Sequence, residues 1–291
     1  MRPRARAAAA LTAALVAGLA IAGCTPSGSD GQQNRTPNVA TASATPAANR
    51  PVVTLAYDVA DDLRSVTGSE TIVLTPDQQV CEVVLRSWPN KPVLTKAGNG
   101  MTVGGVRVDG KPLRADVQAA GASAGAAGTL VEAKLPACSP AGSSLKIEAD
   151  FAVTLGADTD ERMGYSTAGE LAWFQTAFPL LAWQNGVGWV RDAAVDMYGE
   201  TATSEAFALK DLSVSAPARY EVAGVGARGA EDTGGDRTIH HFSAPVMRDV
   251  AVMVGDFDLS EQTAAGTNVH LAVPRFGRLN DVAAWQQRVD A

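Results

Sequence analysis

The chain has 291 residues, 46% of them hydrophobic and 19% charged, with a formal net charge of −7. An acidic chain lacks the basic surface that neutralises phosphates, which argues against a nucleic-acid partner. The length is enough to bury a sizeable core.

The N-terminus opens on Arg2, Arg4 and Arg6, followed by an apolar run from Ala7 to Ala22. This reads as the charged and apolar regions of an export signal, too short and Ala-rich for a spanning helix. The run closes on Ile21, Ala22, Gly23 and Cys24, which resembles the lipobox of bacterial lipoproteins. That resemblance implies cleavage before Cys24, acylation of its thiol and an exported protein held at the outer side of a cell membrane. Each buried CH₂ of an acyl chain contributes about 0.8 kcal/mol, so a multiply acylated Cys24 anchors firmly. The alternative is an ordinary secretory signal that contains a cysteine. Loss of residues 1–23 removes three Arg and no acid, taking the formal charge from −7 to −10. The rest of the chain then has no basic patch for anionic lipid, and the acyl group alone would provide membrane attachment.

Residues 24–50 combine the lipidated Cys24 with Ser, Thr, Pro, Asn and Ala and almost no large apolar side chains. Such a segment cannot bury enough surface to offset its ordering entropy, so it reads as a disordered tether. From Pro51 to about residue 275 the pattern is β. In "SLKIEADFAVTL", Leu145, Ile147, Ala149, Phe151 and Val153 alternate with Lys146, Glu148, Asp150 and Ala152. That period of two gives a strand one apolar face. Further strand candidates are "GSETIVLT", "CEVVLRSW", "GGVRVDGKPL", "TLVEAKL", "EAFALKDLSVSAP", "RYEVAGVG", "RTIHHFSAP", "DVAVMVGDFDLS" and "NVHLAVP". Pro76-Asp77, Asn99-Gly100, Asp109-Gly110 and Gly234-Gly235 separate them, and Asp109-Gly110 has the chemistry of a hairpin turn. The low-complexity stretch 118–129 predicts a mobile loop. The fold class expected is mostly β, a large antiparallel sandwich or twisted sheet over 51–275. Residues 276–291 predict a short C-terminal helix, with Leu279, Val282, Ala283 and Val289 at helical spacing and Asn280 as its cap.

With Cys24 lipidated, Cys81 and Cys138 remain as an even pair in an oxidising compartment, where a disulfide is the natural reading. It would close a loop of about 57 residues and contribute about 4 kcal/mol in the chain-entropy model. Two separate buried thiols are the alternative.

Signals for chemistry are sparse. "GVGARG", from Gly224 to Gly229, has dinucleotide-loop spacing, but the glycine-rich "AEDTGGDRT" that follows is no helix, so a loop between strands is the better reading. His240 and His241 are neighbours and would point to opposite faces of a strand, and His270 lies in another strand, which is weak support for a metal site. The sequence contains no P-loop or H-E-x-x-H. The acidic run "ADTDER", with Asp158, Asp160 and Glu161, reads as a solvated turn.

The densest aromatic stretch is "LAWFQTAFPLLAWQNGVGW", with Trp173, Phe174, Phe178, Trp183 and Trp189. It reads as a packed core cluster, with a peptide- or carbohydrate-facing platform as the functional alternative. Taken with what flanks it, this stretch resembles the N-terminal β domain of bacterial zinc aminopeptidases of the membrane alanyl aminopeptidase family. Those domains carry a "W-Y-P-x-L-A" segment, a Gly-Trp and then a strand ending in "V-P-x-x-Y-x-V-x-A-x-G". The counterparts here are "WFQTAFPLLAWQNGVGW" and "LKDLSVSAPARYEVAGVG". "VTLAYDVADDLRSVTGSETIVLTPD" resembles the family's opening strands, and "TIHHFSAPVMRDVAVMVGDF" the strand pair that closes the domain.

The resemblance covers roughly residues 51–275. It implies a non-catalytic, mostly antiparallel β domain that packs beside a thermolysin-like catalytic domain and helps shape its peptide entrance. In the family the zinc ligands, the base and the G-x-M-E-N loop belong to that second domain. No catalytic or metal-binding residue carries over to this chain, and no cofactor is expected in it; zinc is expected only in the catalytic domain. The terminal helix then reads as the start of a connection to that absent domain. The partners implied are a membrane through Cys24, and peptides or a catalytic domain. The other reading is a free-standing binding or scaffold lipoprotein of the cell surface.

Overall fold

The structure, a computed structural model, describes residues 49–168, 170–197, 205–264 and 267–275. Cys24, the signal and linker before residue 49, and the expected helix at 276–291 lie outside the described residues.

Strands dominate. The largest sheet has eight, in the spatial order Ala227–Gly234, Arg237–Met247, Phe207–Pro217, Val52–Val59, Ser65–Leu74, Leu145–Thr154, Gly100–Val108 and Lys111–Pro112. A second sheet orders Glu221–Gly224, Ala251–Gly255, Leu171–Gln175 and Met163–Ser166, and a third orders Leu180–Leu181, Val80–Arg86, Leu130–Ser139 and Ala115–Gln118. Two small hairpins complete the set, Trp183–Gln184 with Gly188–Trp189 and Phe257–Ala264 with Thr267–Pro274. Among the described residues the helices are a turn at Trp88–Asn90 and the five-residue Pro92–Lys96. None is long and apolar enough to cross a membrane.

The alternation read in "SLKIEADFAVTL" is realised residue by residue. Leu145, Ile147, Ala149, Phe151 and Val153 are buried, while Lys146, Asp150 and Ala152 are exposed. The first strand does the same with Val53, Leu55, Tyr57 and Val59. Together with Phe174 and Trp183 from the smaller sheets and Phe178 between them, these side chains form one contiguous apolar cluster. Burying a side chain of this size stabilises by about 1.5–3 kcal/mol, and this face supplies the main driving force.

Asp109 and Gly110 have φ of 50° and 76° and join Val108 to Lys111, which are cross-strand partners. Positive φ at both central residues is what a two-residue hairpin of the right twist requires. Asp109 adds a bond of its own, its Oδ1 accepting from the Lys146 amide at 3.0 Å.

Two features differ from the sequence expectation. First, the main sheet is mixed: Val52–Val59 runs parallel to Phe207–Pro217, with Leu55 opposite Leu212 and Tyr57 opposite Val214. A parallel neighbour needs a long crossover, and here most of the chain intervenes. Second, the stretch 118–129, expected as a mobile loop, is tied in place. The Ala120 carbonyl accepts from Thr129 Oγ1 at 2.7 Å and from the Ala194 amide at 2.7 Å. A Cβ on Gly121 would meet the Ala194 carbonyl at 2.1 Å, so small side chains are what let these segments approach.

Cys81 and Cys138 are joined by a disulfide between neighbouring strands, with their Cα atoms 4.0 Å apart. "GVGARG" leads from Glu221–Gly224 in the second sheet to Ala227–Gly234 in the first. Gly226, at φ 93°, passes so close to Ser243 that a Cβ would lie 2.4 Å from its carbonyl oxygen. The glycines serve a corner between strands, with no helix for a pyrophosphate to meet.

Candidate functional site

The five aromatic residues of the dense stretch separate by strand alternation. Phe174, on Leu171–Gln175, points into the core, and its neighbour Trp173 lies on the other face, half-buried. Phe178 and Trp183 are fully buried. Trp189 is half-buried and meets Trp183 edge to face at 4.9 Å. Indole N–H groups need partners when buried. Trp173 donates to the Glu161 carbonyl at 2.8 Å and Trp183 to Asn185 Oδ1 at 3.1 Å. The Trp189 N–H is enclosed and has no partner among the described residues.

Phe178 shares the lining of a small space with a buried carboxyl group. Glu70 sits on Ser65–Leu74, directly across from Leu55 and Ala149, and is only 3% exposed. Neither carboxyl oxygen has a hydrogen-bond partner among the described residues. Glu70 and Glu205 line an enclosed space of about 10 Å³, walled by Val53, Phe178, Leu181 and Phe207. That is room for about one water molecule. Burial pushes the Glu70 carboxyl well above its ordinary range. Tyr57 is buried nearby, its hydroxyl also without a partner, and packs edge to face on Phe151 and Phe174. Burial is the main cause of its raised pKa, with the charges of Glu70 and Asp249 adding to it.

Arg86 is a buried cation. Its Nη1 donates to the Asp192 carbonyl at 2.9 Å and its Nη2 to the Val190 carbonyl at 2.7 Å, which pins the segment after Trp189. The guanidinium stands 5.3 Å from the ring centre of Trp88. Desolvation lowers its pKa, with Asp192 opposing the shift.

The adjacent histidines do point to opposite faces. His240 is buried on the core side, cross-strand from Val214, with Nδ1 3.0 Å from Glu231 Oε1, and Arg228 holds the same carboxylate. Burial lowers the His240 pKa, although Glu231 acts against it. His241 lies on the outer face between Asp211, 3.0 Å from Nδ1, and Asp232, 3.4 Å from Nε2. The bond to Asp211 is the main reason its pKa is raised. His270 belongs to the separate hairpin, opposite Glu261. Among the described residues no group of three His, Cys, Asp or Glu side chains is placed to hold a metal ion.

His241 carries a pH prediction. A raised folded-state pKa gives stability that is fully present below the unfolded value near 6.5 and is lost as pH rises through the folded value. In His241→Gln this acid-side contribution should disappear. Unfolding midpoints of variant and parent should therefore converge on the alkaline side of that window and separate on the acid side. Equal separation at both ends would show that the Asp211 and Asp232 contacts do not depend on charge.

Sequence reading singled out the aromatics and the histidines; it missed Glu70 and Arg86.

No family model matches the chain, and no curated protein matches it. Among solved structures it is similar to an M1 zinc metallopeptidase from Deinococcus radiodurans. A mutant of that enzyme bound to a Tyr-Ser-Ala substrate aligns with TM-score 0.49 and 15% identity, covering 76% of this chain and 46% of that one. Another crystal structure of the M1 zinc metallopeptidase from Deinococcus radiodurans gives 0.47 and 15%, covering 76% and 45%. A two-domain M1 zinc metallopeptidase mutant bound to L-tryptophan gives 0.48 and 15%, covering 76% and 46%. The chain spans less than half of each of these structures.

Proposed function

We propose that this chain is the non-catalytic β portion of an exported zinc aminopeptidase, tethered at the outer face of a cell membrane through acylated Cys24. Its part would be to flank the catalytic domain and shape the approach of peptides to it. The observation that carries the reading is the set of sequence segments resembling that family's N-terminal domain. They fall in successive strands that share one core: the opening strands, the aromatic stretch, Phe207–Pro217 and the closing pair. Peptide hydrolysis would require the H-E-x-x-H domain, whose three zinc ligands and base must stand in fixed geometry.

Two measurements test it. The full chain, supplied with zinc and aminoacyl-anilide substrates, should show no turnover above the uncatalysed rate; chelator-sensitive turnover would overturn the non-catalytic role. In the native host, Cys24→Ser should abolish incorporation of labelled fatty acid and move the protein out of the membrane fraction. Retention of both label and membrane attachment in that variant would overturn the tether.

A further inference from the structure

The ladder between Val80–Arg86 and Leu130–Ser139 breaks its register in one place. Glu82 pairs with Lys134, but Val80 pairs with Ser139. A single residue, Cys81, therefore faces four, Leu135, Pro136, Ala137 and Cys138. Such an outward bulge leaves the ladder locally disrupted. Pro136 has no N–H to give, so the bulge cannot be drawn back into regular pairing. The link that spans it is the bond between Cys81 and Cys138, and both cysteines are exposed.

The bulge is also a wall. Its four residues line a groove of about 340 Å³, with Val108, Leu113 and Leu145 among the other residues of its lining. Elsewhere the two strands are held without the disulfide: Val83 to Arg86 pair regularly with Ala133 to Leu130, and Val83, Val84 and Leu85 are buried. The packed part of the ladder is thus held by its own hydrogen bonds and apolar contacts, and the bulge lies between it and the Val80–Ser139 pair.

We propose that the Cys81–Cys138 disulfide is a reducible clamp on this groove. A thiolate of an external dithiol attacks one sulfur, forming a mixed disulfide and expelling the other cysteine as thiolate. The second thiol of the reductant then closes its own disulfide and releases the first cysteine. The products are two protein thiols, after protonation, and a cyclic disulfide of the reductant. The cut frees Leu135–Cys138 from Cys81, between the pairs Val80–Ser139 and Glu82–Lys134, and the groove loses that wall while the eight-stranded sheet stays folded. Exposed disulfides are the ones open to such exchange.

The test uses the full chain in native buffer with dithiothreitol as the dithiol. Alkylation and peptide mapping should find Cys81 and Cys138 as free thiols without denaturant. Hydrogen exchange at 134–139 should then quicken by about tenfold or more, with the strands Val52–Val59 and Leu145–Thr154 unchanged. A Cys81→Ser/Cys138→Ser double variant should show the same local quickening with no reductant present. The proposal fails if the bond resists dithiothreitol until denaturant is added. It also fails if exchange quickens throughout the main sheet or the double variant does not fold, since the bond would then be a staple of the whole domain. Unchanged exchange at 134–139 in the reduced protein overturns it as well, since the bulge would then hold itself.

Discussion

Replacing Glu70 with Leu should make the protein more stable, by about 1–3 kcal/mol at neutral pH, because a buried polar group without partners gives way to an apolar side chain of similar bulk. Glu70→Gln separates the proton from the polarity. In the folded protein Glu70 keeps its proton far above the ordinary carboxyl value of 4.5. The unfolded chain releases that proton near the ordinary value. Above it the unfolded state therefore binds fewer protons than the folded one, and stability falls as pH rises, at up to about 1.4 kcal/mol per pH unit, until the folded-state pKa is passed. Below 4.5 both states are protonated and the penalty vanishes. Glu70→Gln has no proton to lose, so its stability should decline less steeply than the parent's as pH rises above 4.5. Chemical denaturation of both proteins across that range measures the difference directly. His240 and His241, whose pKa values are shifted down and up respectively, are common to both proteins, so their contributions cancel. Parallel curves would mean that Glu70 ionises as freely in the fold as in the unfolded chain.

Glu70 also shows how far period-two reading reaches. In "SVTGSETIVL" the inward positions are Val66, Gly68, Glu70, Ile72 and Leu74. The same alternation that identified the strand places a carboxylate on its core face, and following it through would have marked the residue from sequence alone. Gly68 beside it had no such signal. Its need for glycine arises from Phe151, whose Cζ would stand 2.3 Å from a Cβ at that position, a contact between strands. The Asp109-Gly110 turn and the half-exposed strands were legible because their determinants are local. Leu171–Gln175 was not separated as a strand because the burial around it is two-sided: Leu171, Ala172 and Phe174 are all buried, leaving no clean alternation. The parallel pairing of Val52–Val59 with Phe207–Pro217 had no local signature, since it depends on which distant strand best covers an exposed edge. Arg86 was hidden for a related reason. A charged residue at a strand's end reads as solvated until the Val190 and Asp192 carbonyls are seen to fold over it.

The aromatic stretch offers the second large effect, and it decides whether that density of rings serves packing or recognition. Phe174→Ala removes a ring that is fully buried and stacks edge to face on Tyr57 at 5.1 Å. Truncations of this kind cost about 3–5 kcal/mol, from lost transfer energy and the cavity left behind. That is a large share of the roughly 5–15 kcal/mol by which such domains are stable. Trp173→Ala, one position earlier on the same strand, removes a half-buried indole and its bond to the Glu161 carbonyl, and should cost about 1–2 kcal/mol. Thermal or denaturant unfolding of the two variants measures this gap between adjacent residues, which follows from the pleat alone. Binding of short peptides to the Trp173 variant is the complementary readout. If the exposed side of this strand faces peptide, affinity should fall while most stability remains; if the cluster is only core, peptide binding should be the same in parent and variant. A Trp173→Ala cost as large as that of Phe174→Ala would mean that both faces of Leu171–Gln175 carry the fold, leaving little of the stretch for a ligand.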